Sequence, residues 1–250
     1  TLPDGSLVVL FGGNAPKQSA DAFYPFFANR NFVYLTGLDG SSAEGLAFIA
    51  EKYNDQIKET VYLLPPDEKQ ETWNGPRLRA HAAMEKSGAE NTAHLADFDA
   101  ALHTAAISGK YKHLWLNLEK LKPEEQDDLN HVFAKTMTSR YPFLKVDTIT
   151  PQLRKQRTIK STCEINAMRK AMLVTKKGIL AMMASARPGM YEYELKAEYD
   201  RALTSSGVLS PAFPSIISAG ENNFCIHYYG YMGKIEDGDM ILNDVGAQWD

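Results

Sequence analysis

The sequence predicts an α/β domain over residues 1–152, followed over residues 153–250 by helices leading into strands, an α+β pattern. Three observations predict this. Short apolar and β-branched runs alternate with helix-like segments as far as Thr150. The chain then turns basic, from Leu153 to Lys160, with no obvious core stripe. Ser161-Thr162-Cys163-Glu164 next forms a Ser-x-x-Glu capping box that opens a helix longer than any before it.

In the first domain the candidate strands are residues 7–11, 32–37, 45–50, 59–64 and 113–117. Gly12-Gly13 ends the first and Pro65-Pro66 ends the fourth. Helices are expected over residues 75–87, 98–108 and 123–138. In the last of these Pro123 suits a first turn, and Glu124 and Glu125 suit the positive end of the helix dipole. In the second domain the long helix carries Ile165, Met168, Met172, Ile179 and Met182 near helical period and ends at Pro188-Gly189. A second helix is expected from about Tyr191 to Ser206, stopping at Gly207. Strands are expected at residues 215–218 and 240–243.

The bulk numbers exclude several classes. Hydrophobic residues make up 44% and charged residues 23%, a folded soluble balance. A net charge of −4 offers no basic surface for nucleic acid or an anionic membrane. No apolar run approaches the roughly 20 residues that span a bilayer. The first apolar run, residues 7–11, lacks the basic flank of a signal peptide and reads as a strand. Two cysteines, Cys163 and Cys225, are too few for a disulfide framework and suit a reducing compartment, although two are enough to pair with each other. The expected setting is cytoplasmic.

Two residues stand out chemically. Asp244 follows Met240-Ile241-Leu242-Asn243 on a candidate strand and precedes Val245-Gly246-Ala247. A carboxylate on a stiff element beside small residues can ligate a divalent cation, and it can equally be a turn residue. His227, inside Phe224-Cys225-Ile226-His227-Tyr228-Tyr229, admits three readings: a metal ligand, a donor to a substrate carbonyl, or a hydrogen-bonded, partly buried ring. The other histidines show no HxxxH or HxH spacing. Cys163 lies in a helix's first turn without an evident base, as a structural cysteine would.

The order of motifs resembles a known family. The second half resembles the start of the "pita-bread" metallopeptidase domain of aminopeptidase P, prolidase and methionine aminopeptidase. The matching residues run through Ile159-Lys160-Ser161, Glu164-Ile165, Arg187-Pro188-Gly189-Met190 with Glu192 and Glu194, and Phe213-Pro214-Ser215-Ile216-Ile217. They continue through Ser218-Ala219-Gly220-Glu221-Asn222, His227-Tyr228 and Asp237-Gly238-Asp239 to Asp244-Val245-Gly246-Ala247. The first half resembles the creatinase/prolidase-type N-terminal domain in Tyr24-Pro25-Phe26, Asn31-Phe32, Tyr34-Leu35-Thr36-Gly37 and Glu71-Thr72-Trp73-Asn74-Gly75-Pro76-Arg77. Asn243 stands where the family usually has an aliphatic residue, and Phe27 where an arginine often follows.

The resemblance implies a dinuclear-metal Xaa-Pro aminopeptidase or dipeptidase acting on peptides with proline at the second position. Two divalent ions, typically Mn2+, would hold a bridging hydroxide that attacks the scissile carbonyl. Asp244 would be the first metal ligand. The other ligands would lie past residue 250, because Asp250 stands at the wrong offset to replace the second aspartate. The sequence is therefore expected to be the leading part of a longer enzyme and inactive by itself. His227 would line the substrate site and donate to the developing oxyanion. Trp73, expected at a loop tip, would reach the active site of a neighbouring subunit, which implies a homodimer or larger homo-oligomer. The competing readings are a metal-free creatinase-like hydrolase and a non-catalytic binding protein of the same fold.

Overall fold

The computed structural model describes residues 2–249. It divides after Thr158 into two units. The sequence places that division at 152. The structure differs because residues 150–158 form a helix whose Leu153 is buried in the first unit's core.

The first unit is built on a six-stranded mixed sheet. Its elements are β1 (Ser6–Phe11), a small hairpin of β2 (Lys17–Ser19) and β3 (Ala22–Phe23), α1 (Arg30–Thr36), β4 (Ala47–Tyr53) and β5 (Gln56–Leu63). Then come α2 (Glu68–Asn74), α3 (Ala80–Ser87), β6 (Asn91–His94), α4 (Phe98–Ile107), β7 (His113–Leu116), α5 (Leu129–Arg140), β8 (Lys145–Thr148) and α6 (Thr150–Thr158). The sheet order is β6-β5-β4-β1-β7-β8. β4 is antiparallel to both β1 and β5, whereas β7 is parallel to β1 and to β8, and β6 is parallel to β5.

The pleat divides the core. On β1, Val8 and Leu10 face one apolar cluster and Leu7 and Val9 the other. The first cluster takes Phe32 of α1, Ala83 of α3 and Leu153 of α6. The second takes Phe98, Leu102 and Ala106 of α4 and Met137 of α5. Helices thus cover both faces of the sheet, as its nearly unbroken apolar strands require.

Several expectations are corrected here. The strand expected over 32–37 is instead helix α1, Arg30–Thr36. Asn29 caps it, accepting from the backbone N–H groups of Asn31 and Phe32, and Gly37 closes it at φ 64°. Its buried residues Phe32 and Thr36 are one turn apart, which is helical spacing. The helix expected over 75–87 starts only at Ala80, as α3, and the unexpected helix α2 precedes it; Gly75 at φ 85° followed by Pro76 breaks the chain direction between them. The helix expected from Pro123 starts only at Leu129, where Asp128 accepts from the His131 N–H at 2.9 Å.

The second unit opens with α7 (Thr162–Ser185) and α8 (Glu192–Thr204), followed by an antiparallel pair, β9 (Ile216–Ala219) and β10 (Ile241–Asp244). The Ser161–Glu164 capping box is formed. Gly178 lets α7 meet α8 closely: a Cβ there would lie 2.4 Å from a Tyr199 ring carbon. Tyr199, Leu195 and Leu203 of α8 are buried against Val174 and Met182 of α7 and Ile217 of β9. Among the described residues no helix is long and apolar enough to cross a membrane.

Candidate active site

Asp244 is the last residue of β10, paired in register with Ile216 of β9, and its side chain is exposed. The chain beyond it is tied down twice. The Ala247 N–H donates to the Thr175 hydroxyl of α7 at 3.0 Å, and the Ala212 N–H donates to the Gly246 carbonyl at 2.9 Å. The carboxylate therefore projects from a fixed backbone. Thr175, Met172 and Ile179 of α7, with Val245, Gly246 and Ala247, line an open apolar groove of about 530 Å³ next to it. Among the described residues no group of three or more His, Cys, Asp and Glu side chains comes together. Asp250, which the sequence reading ruled out as a second ligand, lies outside the described residues.

His227 is exposed and stacks on Tyr229, with ring centroids 6.3 Å apart and planes at 21°. It follows a 3₁₀ turn, Gly220–Phe224, that links back to both strands. The Asn223 amide donates to the Met240 carbonyl, just ahead of β10, at 2.8 Å, and it accepts from the Ser218 hydroxyl of β9 at 2.7 Å. The segment bearing His227 and the strand bearing Asp244 thus share a support. No direct bond joins the two side chains among the described contacts.

Sequence reasoning named Glu192 only within the matching motif and gave it no role. It opens α8, is fully buried, and gathers donors from three distant segments. Its carboxylate accepts from the Ala219 N–H at 2.8 Å, the Gly233 N–H at 2.8 Å and the Asn222 side-chain amide at 3.0 Å. Asn222 also donates to the Tyr228 hydroxyl at 3.1 Å. Burial alone would raise the Glu192 pKa; the bonds from Asn222, Ala219 and Gly233 outweigh it and hold the carboxyl below its ordinary value. Tyr228 is pushed upward, by burial first and then by the neighbouring Glu192. Gly233 must be glycine for this packing, since a Cβ would lie 2.4 Å from the Asn222 amide and 2.8 Å from the Glu192 carboxyl. Tyr231 beside it holds φ at 54°, an uncommon conformation for a residue with a Cβ. The sequence signal was the position of Glu192 in a helix's first turn, which reads as a solvent-facing cap.

Trp73 lies in the first unit. It belongs to the last turn of α2 rather than to a loop, and it is 76% exposed. Asp67 caps this helix, accepting from the Gln70 N–H at 3.0 Å. Arg79 forks onto Glu71 at 2.8 and 2.6 Å, which holds the Glu71 carboxyl down at about 2. The tryptophan is thus presented on an ordered but exposed support.

Comparisons with known proteins agree with this architecture. Residues 1–115 match the aminopeptidase P N-terminal domain, and residues 166–250 match metallopeptidase family M24. The chain is 27% identical to a Xaa-Pro aminopeptidase of Haemophilus influenzae, covering 99% of this chain and 55% of the relative. It is 26% identical to a Xaa-Pro aminopeptidase of Escherichia coli, covering 99% of this chain and 56% of that protein. The chain therefore spans a little over half the length of these curated relatives. Among solved structures, a Bacillus anthracis protein provisionally described as an aminopeptidase P superposes with a TM-score of 0.93 at 34% identity, covering 99% of this chain and 58% of that one. Proline aminopeptidase P II from Yersinia pestis superposes with a TM-score of 0.84 at 26% identity, covering 99% and 57%.

Proposed function

We propose that this chain, which matches the aminopeptidase P family of Xaa-Pro peptidases with a creatinase-like N-terminal domain leading into the start of a family M24 metallopeptidase domain, carries the leading part of a dinuclear-metal Xaa-Pro aminopeptidase. Its substrates are peptides with proline at the second position. The observation that carries this reading is the placement of the Asp-x-Gly-Ala carboxylate, Asp244, at the end of β10 with its following backbone tethered to α7. A carboxylate held in this way fits one oxygen ligand of a divalent ion, with Mn2+ as the proposed metal. The remaining ligands are assigned to the part of the relatives' length that this chain does not span. When bound, the two ions supply Lewis-acid activation of water.

The chain's own residues supply the rest. The exposed His227 ring offers an N–H to the scissile carbonyl, and that bond strengthens as the oxygen gains negative charge. Proline's amide nitrogen carries no hydrogen, so recognition rests on the carbonyl and on the shape of the ring. Trp73 is held out by α2 where it can enter a neighbouring subunit's site in a homo-oligomer. Two exposed free cysteines, Cys163 and Cys225, suit a cytoplasmic setting.

The reading is tested in the protein carrying its complete catalytic domain. Asp244→Asn should abolish Xaa-Pro hydrolysis and lower the bound Mn2+. His227→Ala should lower kcat by roughly 10²–10³-fold, the cost of removing an oxyanion donor, at unchanged metal content. Full activity with full metal in Asp244→Asn would remove Asp244 from the site, and metal loss in His227→Ala would make that residue a ligand instead.

A further inference from the structure

The buried Glu192 carboxylate has no part in the site described so far, yet it is the centre to which the segment carrying His227 is tied. Three segments converge on it: the end of β9 through the Ala219 N–H, the 3₁₀ turn through Asn222, and the backbone after His227 through the Gly233 N–H. Their partners lie 27, 30 and 41 residues away in sequence. The connection to His227 is short. Asn222 bridges the carboxylate to the Tyr228 hydroxyl, and Tyr228 is the residue next to His227. The backbone closes the other side. The Glu192 N–H donates to the Gly233 carbonyl and the Tyr193 N–H to the Tyr231 carbonyl, both at 2.9 Å. Tyr231 meanwhile keeps a left-handed φ of 54°, which the surrounding bonds must sustain.

We infer that Glu192 is a positioning residue for His227: its ionised carboxylate, by accepting from Ala219, Asn222 and Gly233, fixes the loop from Asn222 to Gly233 so that the histidine ring is held in one place. This rests on the reading of His227 as the carbonyl donor. A fully buried anion is costly unless donors surround it, and once surrounded it is difficult to replace. Glutamine is the informative substitute because it keeps the volume. However its amide is turned, an NH₂ faces either the Gly233 N–H or the pair formed by the Ala219 N–H and the Asn222 amide. Donor then meets donor and one side of the loop is released.

The experiment is a double-substitution cycle in the complete protein, using Glu192→Gln, His227→Ala and the two together, with the ring resonances of His227 followed by NMR. The expected result for Glu192→Gln is a kcat lower by on the order of tenfold, the usual scale for a residue that orients another, with KM within twofold. Glu192→Gln should cause no further loss when His227 is already alanine, and the His227 resonances should move. Equal multiplicative losses in both backgrounds, or a lowered melting temperature with kcat and the His227 resonances unchanged, would overturn the inference. If His227→Ala alone leaves kcat intact, the donor reading fails separately. The His227 resonances then decide the positioning claim: a shift in Glu192→Gln keeps it, and no shift ends it.

Discussion

The two units bury their apolar residues in different ways. In the first, successive residues of β1 enter two cores, and helices close both faces of the sheet. In the second, α7 has buried residues only at Val174, Gly178 and Met182, while Met168, Met172, Leu173, Leu180 and Met183 along the same helix are exposed. The first unit is held by apolar layers. The second is held by one smaller apolar cluster, where α7, α8 and β9 meet around Tyr199, and by polar tethers such as Glu192 and the Thr175–Ala247 bond. Stability follows apolar area removed from water, so the residues proposed for chemistry, Asp244 and His227, stand on the less stabilised of the two.

That contrast can be broken by unfolding the chain. Urea should unfold it in two steps, the second unit first, with the emission of Trp115, buried in the first unit, changing only in the later step. A single transition seen by all probes would erase the difference. Within the first unit, Phe32→Ala removes a fully buried ring from α1 and should cost about 3–5 kcal/mol of the later transition. A loss below about 1 kcal/mol would mean that α1 is not part of that core.

In the second unit, Gly178→Ala should act on the earlier transition alone. The gain in helix propensity is at most about 1 kcal/mol. The new methyl would meet the Tyr199 ring at 2.4–2.5 Å, and overpacking of this kind costs about 1–3 kcal/mol. A net stabilisation would show that the seam has room. Acid should also weaken this unit. The Glu192 carboxyl is held below its ordinary value of 4.5, so its contribution is full above that pH and is lost as pH falls through the lowered value. Glu192→Gln should flatten the acid side of the earlier transition, and an unchanged profile would count against an ionised Glu192. The smallest effect belongs to Trp73→Ala: at 76% exposure it should shift the later transition by no more than about 0.5 kcal/mol, and a loss of several kcal/mol would make Trp73 a packing residue.

The same contrast governs what could be read in advance. β1, β4, β5 and β7 were legible because strands buried on both faces are nearly continuous apolar runs. β6 and β8 were missed because they are the sheet edges, and Asn91-Thr92-Ala93-His94 and Lys145-Val146-Asp147-Thr148 carry little apolar signal. α1 was misread because Phe32-Val33-Tyr34-Leu35 has strand-like composition, while its Asn29 and Gly37 caps are the true signal. α6 was missed because its hold is partly polar: Arg157 donates to the Asn31 side-chain Oδ1 and the Thr150 hydroxyl to the Asn117 Oδ1. In the second unit the Ser161 capping box was local and therefore legible, whereas the proposed ligand Asp244 stands out only through the family resemblance, since its place after an apolar strand suits a turn residue equally well. The role of Glu192 was not legible, because its partners lie 27 to 41 residues away and only the folded backbone brings them together.

Xaa-Pro cleavage is tested most directly by giving the complete protein, with Mn2+, two peptides that differ only in proline or alanine at the second position. Separation of the products by mass should show release of the first residue from the proline peptide, stopped both by a chelator and by Asp244→Asn. Release from the alanine peptide alone, or cleavage of the proline peptide that survives Asp244→Asn, would contradict the account.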